Sequence, residues 1–176
     1  MQDRYAPFIM NQFETQRQNF KPQKISVLFI AESPPRNGTF FYFQDSGLYS
    51  AMFEAYKILF KEIRKDNFLE DFKKRGFYLE DLCEDPINDL DDFSRIKARM
   101  DNIPVLVEKI KMHNPKVVVI IMKDIVPYIK EAIRLSEINP ALIAEVPFPS
   151  RSQINIDKFV EAVCQALVKS IRLGVI

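Results

Sequence analysis

The sequence predicts an α/β protein in which a central four-stranded parallel sheet lies between two layers of helices, a three-layer α/β/α arrangement. Three observations carry this. Four short stretches that read as strands, at 25–31, 77–82, 117–122 and 141–146, are separated by segments whose apolar residues recur at helical spacing. The run Val117-Val118-Val119-Ile120-Ile121-Met122 has no polar alternation, as expected of a strand buried on both faces of a parallel sheet. A length of 176 residues with 47% apolar content suffices for one domain with a sizeable core. Strands that alternate with helices then imply right-handed crossovers and a sheet covered on both faces.

The elements follow in order. Residues 1–24 are polar and rich in Gln and Asn, and read as a packing arm on the single domain 1–176. A helix over 7–18 would place Ile9, Met10 and Phe13 on one face. The first strand, 25–31, follows Lys21-Pro22-Gln23-Lys24. Asp45-Ser46-Gly47 reads as a helix start, and Leu48, Met52, Ala55, Tyr56, Leu59, Phe60 and Ile63 set a helical period over 48–65. A short helical piece over 68–74 ends at Gly76. The second strand, 77–82, leads to an acidic loop over 88–93. Ser94 is the expected cap of a helix reaching about residue 112, with a break at Pro104. The third strand precedes a helix to about residue 136. The fourth ends in Pro147-Phe148-Pro149-Ser150-Arg151-Ser152. A final helix over 156–173 carries Phe159, Val160, Val163, Leu167 and Ile171 on one face.

Charge and cysteine usage exclude several classes. With 25 basic and 24 acidic residues the net charge is +1, which argues against a partner held by bulk charge; a local basic patch would still serve nucleic acid. Cys83 and Cys164 are far apart and read as free thiols in a reducing compartment, so a cytoplasmic location is expected. No Cys/His cluster offers a zinc or iron–sulfur site, so neither a metal nor a cofactor is expected. No apolar run is long enough to cross a membrane and no signal peptide is visible, so no membrane partner is expected. A monomer is the expected state.

The functional signal lies at the strand ends. In open α/β sheets, ligands bind outside the carboxyl ends of the strands. The first strand breaks at once into Glu32-Ser33-Pro34-Pro35, a carboxylate and a hydroxyl on a backbone stiffened by two prolines. Gly38 and four aromatics, Phe40-Phe41-Tyr42-Phe43, follow. If that aromatic segment is extended, Phe41 and Phe43 share one face. The second strand ends in Asp81, with Cys83-Glu84-Asp85-Pro86 beyond it.

Taken together these motifs resemble the uracil-DNA glycosylase superfamily, over about residues 25–165 and in the same order. The closest match is to the branch whose first motif reads Gly-Glu-Ala-Pro-Gly, here Ala31-Glu32-Ser33-Pro34-Pro35. Gly38, Phe41 and Gly47 fall near the spacing of that branch's glycine, base-stacking phenylalanine and helix-opening glycine. Asp81 stands where the branch has an asparagine that reads the base edge. Pro115-Lys116-Val117-Val118-Val119 matches its Pro-Lys strand, and Phe148-Pro149-Ser150 its last motif, His-Pro-Ser. The four cluster-binding cysteines of that branch are absent.

The resemblance implies a glycosylase that flips a base out of DNA and hydrolyses its N-glycosidic bond. Glu32 would stabilise the developing sugar cation or activate water; its ordinary alternative is to cap backbone amides at the turn. Ser33, at a position that is Asp or Asn in other branches, would position water. Phe41 would stack on the base, against the alternative of core packing. Asp81 would read the base edge: an asparagine both donates and accepts, whereas an ionised aspartate only accepts and would favour an amino or imino donor over uracil O4. Its alternative is a solvated strand-end acid. Phe148 cannot donate to the leaving base as a histidine would, which leaves Ser150 or Arg151 to compensate; the alternative for Ser150-Arg151-Ser152 is helix capping. His113 reads as a helix-end dipole contact. Lys73-Lys74-Arg75 and Arg95, Lys97 and Arg99 read as solvated faces. Two other functions fit the same residues: a catalytically inactive module that binds a nucleotide or nucleic acid, and a small-molecule hydrolase on the same frame.

Overall fold

The computed structural model describes residues 6–150 and 152–176, with side chains placed from residue 12 onward. Four parallel strands, β1 (Val27–Ala31), β2 (Phe77–Asp81), β3 (Val117–Ile121) and β4 (Leu142–Val146), form one sheet in the order β2-β1-β3-β4. The helices are α1 (Ala6–Asn19), α2 (Gly47–Leu59), α3 (Phe68–Lys74), α4 (Asp92–His113), α5 (Val126–Ser136) and α6 (Gln153–Arg172). β1, β2 and β3 are buried at every position; β1 and β3 therefore read as continuous apolar runs, β2 closes on the buried acids Glu80 and Asp81, and edge strand β4 is half-exposed. The chain steps one way across the sheet from β1 to β2 and the other way from β2 through β3 to β4, so right-handed crossovers put α2 and α3 on one face and α4 and α5 on the other. α6 packs on α2, and α4 on α5, completing the two outer layers.

The reversal of direction lies between β1 and β3. A crevice opens outside the strand ends at such a point. The register holds its walls close: Ala31 pairs with Asp81, and the ladder continues past the strands through Leu82 N–H to Ala31 O (2.9 Å) and Cys83 N–H to Glu32 O (2.8 Å). β3 ends at Met122, whose φ of +98° is a sparsely populated conformation for a side-chain-bearing residue. Its N–H donates to Val146 O at 2.9 Å, which ties the bend to β4. At the other end of the sheet, Gly76 turns into β2 with φ +73°, and a Cβ there would meet Lys24 O at 2.8 Å.

Several expectations need correction. The aromatic run is not extended: Phe41–Phe43 form a 3-10 turn, closed by Gln44 in the left-handed region and by Asp45 Oδ1 accepting Phe40 N–H at 2.7 Å. Phe41 and Phe43 therefore diverge. Phe41 enters a cluster with Tyr49, Phe68 and Phe72, while Phe43 packs on Phe13 and Phe40. Tyr42 points at the outer edge of β2, donating to Leu79 O (3.0 Å) and accepting Leu79 N–H (2.7 Å). One phenol thus satisfies backbone groups that an edge strand would otherwise expose. α4 runs unbroken through Pro104, which lies on an exposed part of the helix, as does Met100, whose carbonyl has no N–H donor at Pro104. Asp91, not Ser94, caps α4, accepting Ser94 N–H at 3.0 Å. α2 stops at Leu59 rather than 65, and α6 starts at Gln153 with Ser152 as its cap. Ile171 is 44% exposed, off the buried face of α6. Phe13 is buried as expected of α1, whereas the side chains of Ile9 and Met10 lie outside the described part.

Candidate functional site

A cleft of about 590 Å³ opens at the carboxyl end of the sheet. All four strand ends contribute: Ala31 to Pro35 after β1, Asp81 at the end of β2, Met122 after β3, and Phe148 to Ser150 after β4. The aromatic turn adds Phe40 and Phe41. Glu32, Ser33, Phe41, Asp81, Phe148 and Ser150, scattered along the sequence, therefore line one space. Arg151 lies outside the described residues.

Glu32 is held by two arginines of α4. Arg95 and Arg99 are four residues apart and share a helix face. Arg95 Nε donates to Glu32 Oε1 at 2.8 Å and its Nη2 to Oε2; Arg99 donates to Oε1 through Nε, at 2.8 Å, and through Nη2. Oε1 is thus saturated, while Oε2 takes one bond and keeps acceptor capacity. Arg99 is buried and its guanidinium lies 5.8 Å from the centre of the Tyr128 ring; Arg95 is part-exposed and lines the cleft. The expectation of a solvated basic face fails for both, and holds for Lys97, which turns outward to Asp101. The helical spacing of Arg95 and Arg99 was the available signal; the acid they meet depends on which strand α4 covers. In the other cluster Lys74 and Arg75 are exposed, as expected of a solvated face, and Arg75 lies over Phe60 at 3.9 Å and pairs with Asp71.

Asp81 is fully buried rather than a solvated acid. Its cation comes from the N-terminal arm. Arg17 of α1 is 3% exposed, pairs through Nη2 with Asp81 Oδ2 and through Nη1 with Glu80 Oε1 at 2.9 Å, and lies 5.3 Å from the centre of the Phe40 ring. Burial pushes the Asp81 carboxyl up to about 6; Arg17 opposes that shift and neighbouring Glu80 adds to it. Glu80 goes the other way. Burial would raise it, but His113, Arg17 and Lys109 surround it and hold it at about 2. His113 is therefore not simply a helix-end residue: its side chain is buried, with Nε2 3.7 Å from Glu80 Oε2, beyond hydrogen-bond reach.

The remaining wall is softer. Ser33 Oγ accepts Ile87 N–H at 3.4 Å, and Asn88 Oδ1 accepts Arg36 N–H at 3.1 Å, so the loops after β1 and β2 brace each other. Phe41 is 2% exposed, gripped by the rings of Tyr42, Tyr49, Phe68 and Phe72 at centroid distances of 5.0–6.3 Å. Phe148 is the opposite, 45% exposed at the mouth. Ser150 Oγ accepts from Asn155 Nδ2 in the first turn of α6. Cys83, beside this wall, is buried, and its thiol is pushed up to about 12 by burial first and by Glu32 next, so it is no nucleophile at neutral pH.

Chemically, the cleft offers one carboxylate oxygen on Glu32, one on Asp81, the hydroxyls of Ser33, Thr39, Ser46 and Ser150, and an exposed ring. Arg95 is the one cation among its described lining residues, and it is committed to Glu32. Among the described residues no helix is long and apolar enough to cross a membrane, and no group of three or more His, Cys, Asp and Glu is placed to hold a metal ion. No protein-family model matches this chain, and no curated protein matches it.

Proposed function

We propose that this chain is a uracil-DNA glycosylase-like protein whose cleft takes an extruded base of DNA and hydrolyses its N-glycosidic bond. The observation that supports this reading is the convergence of Glu32, Ser33, Phe41, Asp81, Phe148 and Ser150 on one crevice at the reversal point of a four-stranded parallel sheet. Bond cleavage puts positive charge on the sugar and negative charge on the departing base. In this reading Glu32 stabilises the first through Oε2, and Ser33 Oγ holds the attacking water. Asp81 Oδ1 meets the base edge, and Phe148 offers a ring for the base to lie against. Ser150 is the hydroxyl at the position after the substituted histidine.

Incubation with single-stranded and duplex oligonucleotides carrying deoxyuridine, deaminated purines or normal bases tests this reading. Release of a base by the wild type and its loss in Glu32→Gln are expected. A second reading, binding of a nucleotide or single strand without hydrolysis, draws on two observations. Two guanidiniums occupy the Glu32 carboxylate with four N–H bonds, which leaves only part of Oε2 open to a sugar or a water. Phe148, at the place of the histidine in the resembled motif, also lines the cleft and cannot donate a hydrogen bond to a departing base. Binding without release would establish the second reading over the first. Neither binding nor release of any base-containing ligand would contradict both.

A further inference from the structure

Asp81 is a buried carboxylate with two differently placed oxygens. Oδ2 pairs with Arg17, while Oδ1 accepts no hydrogen bond from the described residues and the side chain lines the cleft. Arg17 is itself fixed: Nη1 donates to Glu14 Oε2 and forms an ion pair with Glu80 Oε1, both at 2.9 Å, and the guanidinium lies 5.3 Å from the ring centre of Phe40, another cleft residue. A ligand edge that reaches Asp81 therefore meets an acceptor held from behind by a cation. From this geometry we infer that Arg17 is a positioning residue for Asp81, and that the pair selects a nucleobase whose edge presents an amino N–H, as in cytosine or adenine, over one that presents a carbonyl, as in uracil. This rests on the reading of the cleft as a base-binding site. It adds a specificity determinant outside the stretch that carries the family resemblance.

The physical reason is acceptor–acceptor mismatch. A carbonyl placed against an ionised carboxylate loses its water and gains no donor, whereas an amino group gains a charge-assisted bond. Such a mismatch in a desolvated site discriminates strongly. The groups facing Asp81 are Arg17 and Glu14 of α1, Tyr78 and Glu80 of β2, Cys83 just beyond it, and Lys109 of α4. Arg17 and Lys109 favour the charged state; Glu14 and Glu80 oppose it. Protonation of Asp81 would put a donor on the same edge, so the preference should weaken as the pH falls.

The test is equilibrium binding of deoxycytidine, deoxyadenosine and deoxyuridine, free and as the unpaired base of a short single strand, to the full chain at pH 7.5 and pH 5. The wild type is expected to prefer the amino-bearing bases by tenfold or more at pH 7.5, and by severalfold less at pH 5. Asp81→Asn, nearly isosteric, should bring the ratio close to one and remove its pH dependence. Arg17→Gln should lower the ratio at pH 7.5 and move the fall to higher pH, and Arg17→Lys should restore most of it. If Arg17→Gln does not fold, the wild-type pH profile and Asp81→Asn still decide. Equal binding of all three bases by the wild type, or an unchanged ratio in Asp81→Asn, overturns the inference and leaves the base-binding reading standing. Binding of none overturns both.

Discussion

Glu32 and Asp81 are both acids at the ends of neighbouring strands, and the fold treats them differently. Glu32 receives four N–H bonds from two arginines of one helix, so it is a hub that fastens α4 to the end of β1. Asp81, a cleft-lining residue, receives one guanidinium from the N-terminal helix α1 on Oδ2, and its Oδ1 accepts no hydrogen bond from the described residues. The first arrangement ties one carboxylate oxygen, Oε1, wholly into the fold and leaves Oε2 with a single bond. The second leaves a carboxylate available to a ligand, at the cost of burying it beside Glu80. The difference is one of donor count, and it predicts different responses to substitution.

The largest effect should come from breaking the hub. Glu32→Ala strands the Arg99 guanidinium in the core, and a buried charge that loses its partner costs about 3–5 kcal/mol. Arg95→Ala, at a part-exposed side chain, should cost about 1 kcal/mol or less. Urea unfolding of the two variants checks this, and equal losses would mean that Arg99 does not depend on Glu32.

Next comes Arg17→Met. It leaves Asp81 and Glu80 adjacent and without their shared cation, for a loss of about 2–4 kcal/mol at pH 7.5. The loss should be smaller at pH 5, where Asp81 takes up a proton. A penalty that does not change with pH would separate Arg17 from Asp81.

Comparable in size is the pH dependence that Asp81 itself imposes. Its folded value of about 6 lies above the roughly 3.9 of an unfolded aspartate, so the folded state binds more protons between them. Stability therefore falls as pH rises from about 4 to about 6, by on the order of 3 kcal/mol. Glu80, held at about 2, acts oppositely: its contribution is present above about 4.5 and fades as pH drops toward 2. The wild type should then show a maximum near pH 4–5, and Asp81→Asn should lose only the decline on the high-pH side. Thermal melts across pH 2–8 would reveal either pattern. The smallest stability change, within about 0.5 kcal/mol, is expected for Phe148→Ala at the exposed mouth. Base binding should nevertheless weaken by about 1 kcal/mol or more. Unchanged affinity would remove Phe148 from the ligand surface.

Much of the fold was legible because burial on both faces writes itself into the sequence as the unbroken runs at 27–31 and 117–121. The cleft was legible because Glu32-Ser33-Pro34-Pro35 and Phe148-Pro149-Ser150 interrupt strands where a parallel sheet opens to ligands. The partners of the two acids were not legible. Arg17 lies 64 residues before Asp81, and Arg95 lies 63 after Glu32, so these pairings exist only once α1 and α4 are laid against the sheet. Spacing could show that Arg95 and Arg99 share a face, but not what that face meets. The aromatic run misled for a local reason. Asp45 caps the Phe40 N–H and Gln44 takes positive φ, so the backbone turns where four large rings alone suggest a strand. Pro104 misled because a solvent-facing helix position tolerates the lost hydrogen bond.

The account turns on a nucleobase entering the cleft beside Asp81. Backbone amide shifts followed by NMR during titration with deoxycytidine at pH 7.5 test that directly. Saturable changes at Ser33, Asp81, Met122 and Phe148, weakened in Asp81→Asn, are the predicted result. No saturable change, or changes confined to residues away from these strand ends, would contradict it.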